Sequence, residues 1–140
     1  MRLWHKDLIP YLPRQQLLGQ WRECCCIAKN IKENGAPNHL LVNKIMQYDI
    51  MHFIKYASQV AYHMVNRGYK VDFNKFGKYF QEEICFGDTE ISMKDVFPYW
   101  HNNRYLIQCL FNLQEKYDCD GIDEDEWHRI VEKFGGVIFE

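Results

Sequence analysis

The chain has no apolar run of the ~18 residues that a membrane-spanning helix needs. Its opening residues, Met1-Arg2-Leu3-Trp4-His5-Lys6-Asp7, lack the long apolar core of a secretion signal, so a cytoplasmic protein with no membrane partner is expected. Period-two alternation is scarce, which leaves little room for strands. No Cys-x-x-Cys pair, Walker loop, dinucleotide fingerprint, nucleophilic-serine elbow or His-x-Glu deaminase signature occurs. Of the six cysteines, Cys24, Cys25 and Cys26 are consecutive. Helix neighbours point about 100° apart and cannot close one tetrahedral shell, so these are read as reduced, small apolar filler. The acidic run Asp118 to Glu126 offers Asp118, Asp120 and Gly121 to a calcium loop, but Lys116 falls at its first position and Trp127 at its twelfth. A solvated acidic turn is expected there, and neither a metal nor an organic cofactor is implied.

What is present suffices for one hydrophobic core: 140 residues, 47% hydrophobic and 16% aromatic. Residues 1–140 are therefore read as a single domain, and as a monomer. The net charge of −2 conceals a division. Residues 1–80 carry 12 Lys and Arg against 5 Asp and Glu, a balance of +7, whereas residues 81–140 carry 5 against 14, a balance of −9. The basic half can meet a phosphate backbone; equally, the two halves can attract each other in the fold.

Periodicity predicts an all-α fold with three main helices and short connecting ones. Leu17, Trp21, Cys24, Ala28 and Ile31 share a stripe of a helix from about Pro13 to Glu33, with Asn34-Gly35 as its stop. Ile50, Phe53, Ile54, Ala57, Val60, Ala61 and Met64 mark a second from about Asp49 to Arg67, ended by Gly68. Pro98 opens a third, reaching about Tyr117. Between them, His39 to Gln47 is a short helix or a packed coil, and a short helix with a loop falls between Lys70 and Asp95, with Gly87-Asp88-Thr89 as a turn. Trp127 to Phe134 forms a last short helix before a break at Gly135-Gly136. Pro10 and Pro13 predict an extended leader that brings the amino terminus near the first helix.

On the polar faces of the first helix, one carboxylate, Glu23, stands among Arg14, Arg22 and Lys29. Helix chemistry alone reads it as a surface residue in loose ion pairs. The register Leu17 to Glu23, ending in Trp21-Arg22-Glu23, nevertheless resembles the phage-type pyrimidine-dimer DNA glycosylases, the endonuclease V family of T-even phage. Gln47-Tyr48-Asp49 with Phe53, and Asn66-Arg67-Gly68-Tyr69, resemble that family's second long helix and its exit. The likeness covers the first half of the chain and fades after about Lys70.

This resemblance implies a DNA-repair glycosylase with abasic-site lyase activity on damaged double-stranded DNA. It implies an attacking N-terminal amine, with Glu23 as the acid/base and iminium-stabilising carboxylate and Arg22 gripping DNA. An α-amino group suits such an attack because its pKa of about 7.7–8.0 leaves far more free base at neutral pH than lysine at about 10.4. Position two is the large Arg2, before which an initiator methionine is not expected to be trimmed, so the amine is assigned to Met1. Family arginines are absent at the positions matching Leu3 and Cys26, and Arg2, Lys6, Arg14 and Lys29 are the candidates to replace their charge. Two other classes compete: a non-catalytic nucleic-acid-binding module, and a helical interaction protein.

Overall fold

The computed structural model describes residues 2–34, 39–80 and 91–138, with side chains as far as residue 135. The chain is all-α, with no strand among the described residues. Helix α1 spans Arg14–Asn34, α2 Leu40–Met46, α3 Ile50–Asn66, α4 Asn74–Gly77, α5 Asn103–Asp118 and α6 Glu124–Ile138; 3-10 turns occupy Lys6–Tyr11 and Met93–Asp95. None of these helices is long and apolar enough to cross a membrane.

The two stripes read from periodicity are the two halves of one interface. Leu17, Trp21, Cys24 and Ala28 of α1 are buried, with Ile31 partly so, and α1 packs on α3, whose Phe53, Tyr56, Ala57 and Val60 are buried in the same core. Each large side chain enclosed this way contributes roughly 1.5–3 kcal/mol. Pro13 stands just before α1 and its carbonyl accepts from Leu17 N at 2.9 Å. Asp49 caps α3 by accepting from Met51 N at 2.9 Å. Gly68, at φ +85°, closes α3 with Tyr69 N donating to Met64 O and its own N–H donating to Val65 O, both at 2.9 Å.

Four expectations are corrected. The leader is not extended throughout: Lys6–Tyr11 is a 3-10 turn capped by His5, because proline obstructs the α-helical bond pattern more than a short i→i+3 turn. Pro98 does not open α5, which begins five residues later behind Asn102, whose side chain accepts from Tyr105 N at 2.9 Å. Gly135-Gly136 does not break α6; a glycine costs about 1 kcal/mol against alanine but keeps its N–H, and Trp127, Ile130 and Phe134 anchor the helix. Cys24 and Cys25 are buried filler, whereas Cys26 is exposed. The segment from His39 resolves as helix, and the expected turn at Gly87-Asp88-Thr89, like Gly35, lies outside the described residues.

The acidic run joins α5 to α6. Asp120 takes φ 63° while Gly121 N donates to Lys116 O at 2.7 Å, an approach that leaves a Cβ at position 121 only 3.0 Å from that oxygen. Asp123 then accepts from Glu126 N at 2.8 Å, and chiefly this bond holds its carboxyl below the usual range. Glu124, Asp125 and Glu126 complete a first turn suited to the positive end of α6.

Candidate active site

The leader is fastened to α1 by side chains gripping its backbone. Gln20, only 2% exposed, accepts from Trp4 N through Oε1 at 2.8 Å and donates through Nε2 to Arg2 O at 2.9 Å. Tyr56 of α3 donates to Trp4 O at 2.6 Å, with Gln20 Oε1 at 3.1 Å from the same hydroxyl. From the opposite side Tyr105 of α5 donates to Leu3 O at 2.5 Å. Burial pushes both phenols upward, so both remain donors at neutral pH.

Beside this clamp lies a pocket of about 270 Å³ lined by Arg2, Trp4, Gln16, Gly19, Gln20 and Glu23, with Asn112 and Lys116 from α5. Its volume is near the lower end of the ~300–1,000 Å³ of ligand sites. Gln16, Gly19, Gln20 and Glu23 recur at steps of three, one and three, so they stand on one face of α1. Glu23 is half-buried and has no ion-pair partner among the described residues, contrary to the loose pairing that helix chemistry alone suggests.

The expected basic residues are distributed unevenly around this pocket. Arg2 lines it but turns its guanidinium over Trp4, 5.1 Å from the ring centre, with Nη1 enclosed and unpartnered among the described residues. Arg22 is exposed and reaches back one turn, its Nη2 3.6 Å from where a Cβ on pocket-lining Gly19 would stand. Arg14 stands away from it, over the Tyr69 ring at 5.6 Å, with its backbone N donating to Glu126. Lys29 is exposed and outside the lining, and Lys6 spends its ammonium on Lys94 O and Val96 O at 2.6 and 2.7 Å. Met1 lies outside the described residues. Among the described residues no group of three or more His, Cys, Asp and Glu side chains is placed to hold a metal.

The family model for pyrimidine dimer DNA glycosylase matches residues 1–76, which comprise the leader, α1, α2, α3 and nearly all of α4. The chain belongs to this family. No curated protein and no solved structure matches the chain significantly. In this pyrimidine dimer glycosylase family member the matched segment supplies every described pocket residue except Asn112 and Lys116, which come from α5 beyond it.

Sequence reasoning about this family member missed Gln20, Tyr56, Tyr105, Asn112 and Lys116. The step of three from Gln20 to Glu23 was a visible signal on α1; nothing in sequence places Tyr105 against Leu3, 102 positions earlier.

Proposed function

We propose that the chain is a DNA-repair glycosylase with abasic-site lyase activity on pyrimidine-dimer DNA, using the amine of Met1 as nucleophile and Glu23 as acid/base. The observation that carries this reading is that Arg2, bonded to Met1, lines the same pocket as Glu23. Consecutive Cα atoms are about 3.8 Å apart, so an amine on Met1 is within one residue of that lining. Attack of the amine on the sugar C1′ forms an N–C bond and expels the damaged base, leaving an iminium after the sugar ring opens. Glu23 then takes the C2′ proton, the electrons move to the imine, and the 3′ phosphate leaves with the strand break. Its carboxylate also offsets the iminium charge. Arg22 and Lys116 flank the pocket on two helices and serve as phosphate contacts, while Arg2 contributes positive charge from within. Lys29 and Arg14 are assigned outer contacts at most, given their distance from this lining.

Borohydride trapping on a duplex with one abasic site tests the scheme. A covalent adduct is expected with the native chain and should disappear when residues are added before Met1; persistence would assign the imine to a lysine. Glu23→Gln should lower strand cleavage by about 10²- to 10⁴-fold while leaving trapping in place. Salt-dependent DNA binding with no adduct would instead identify a binding module, and absence of both an interaction protein.

A further inference from the structure

We propose that Gln20, Tyr56 and Tyr105 are positioning residues that set the leader's register and so aim its amine at the sugar; this rests on the glycosylase reading above. Arg2 and Trp4 turn backbone groups toward Gln20, and Leu3 turns its carbonyl the other way toward Tyr105, the alternation of an extended chain. One primary amide therefore stands where the peptide group of a neighbouring strand would stand, offering an acceptor to one residue and a donor to the residue two before it. A slide of the leader by one residue breaks both bonds to Gln20 and reverses which side each carbonyl faces. Register is what an attacking amine one residue beyond Arg2 most needs, because a misplacement near 1 Å can cost a hundredfold in rate.

The three grips come from three different helices. Gln20 belongs to α1, Tyr56 to α3 and Tyr105 to α5, so the leader's path reports the relative placement of all three. Gln20 stands one turn before Glu23 on the same helix face, which couples the position of the leader to that of the carboxylate through a single rigid element. Neither Gln20 nor Tyr105 is assigned contact with the reacting atoms.

The test is single-turnover borohydride trapping on saturating abasic duplex, comparing native chain with Tyr105→Phe and Gln20→Leu. Tyr105→Phe removes one hydroxyl at a half-buried site and keeps the ring, so it remains informative even if Gln20→Leu does not fold. The expected result is a trapping rate lower by about 10- to 100-fold at saturation, with affinity for the duplex unchanged within about twofold. A small primary amine added in solution should restore strand cleavage to Tyr105→Phe, since Glu23 is intact, and should not restore it to a Glu23→Gln variant. Native trapping rates in Tyr105→Phe, or a loss matched by weaker DNA binding and not rescued by added amine, would overturn the positioning role alone. No adduct from the native chain would overturn the glycosylase reading and this inference with it.

Discussion

His101 is a buried titratable group through which the stability of the fold should respond to pH. It is 6% exposed, its Nδ1 accepts from Lys6 N at 2.9 Å, and its ring stacks on His5 with centroids 5.2 Å apart. Nε2 must carry the proton of the neutral ring, and it is enclosed with no partner among the described residues. Burial, reinforced by His5 and the Lys6 ammonium, pushes the imidazole down to about 2. A folded pKa below the unfolded value of about 6.5 means that the unfolded chain binds the extra proton between these two values, so stability is complete above pH 6.5 and falls as pH drops through that window. At about 1.4 kcal/mol per pH unit, His101 alone should remove about 2 kcal/mol between pH 6.5 and 5. His5, also lowered mainly by burial, adds in the same direction. Urea unfolding at pH 7.5, 6 and 5 should show the decline, and His101→Asn should flatten it; a native chain equally stable at pH 5 and 7.5 would contradict the neutral buried ring.

At the scale of elements, the segment ahead of α5 explains why a proline signal failed. Phe97 and Tyr99 flank Pro98 with φ of 50° and 69°, a left-handed region that costs an L-residue roughly 1–2 kcal/mol. Side chains from elsewhere hold this shape: His52 Nδ1 accepts from Phe97 N at 3.0 Å, Tyr48 donates to Pro98 O at 2.6 Å, and Lys6 donates to Val96 O. Burial of Phe97 and capping by Asn102 outweigh the preference of Pro98 for a first helical turn. Tyr99 is 94% exposed, so Tyr99→Gly should relieve strain without losing packing. After the ~0.5–1 kcal/mol entropic cost of glycine, a net gain of about 0.5 kcal/mol and a Tm higher by one to three degrees are expected. A Tm lowered by the change would show that the phenol ring itself supports the turn. By contrast α1 and α3 were legible because periodicity and local caps agree: Leu17, Trp21 and Cys24 share one buried core with Phe53 and Tyr56, with Asp49 and Gly68 at the ends of α3.

For the molecule as a whole, the division of charge does two things at once. Arg14 N donates to Glu126, and Arg67, which also ties α3 to Leu12 O at 2.7 Å, lies near the same carboxylate; here the basic and acidic halves meet. Among the described residues, none from α6, the most acidic helix, lines the pocket with Glu23. If Lys116 neutralises one phosphate, Lys116→Ala should reduce the slope of log affinity against log salt by about 0.9 on duplex DNA. Arg14→Ala should lower the slope by less than Lys116→Ala does, because Arg14 faces Tyr69 away from the pocket. Equal effects of the two substitutions would show that DNA covers both faces of α1.

The sequence by itself determined the helical class, the packed stripes of α1 and α3, and the family, because apolar spacing and the Trp21-Arg22-Glu23 register are local properties of a chain. Only the tertiary structure decided which polar residues gather around Glu23. Arg22 stayed beside the pocket and Arg14 left it although both lie on α1, since nine residues of helix turn Arg14 about 180° away from Glu23 whereas Arg22 stands only about 100° from it. Tyr56, Tyr105 and Lys116 reached the leader or its pocket from distant helices, and that convergence is set by how α1, α3 and α5 pack, which no local spacing encodes.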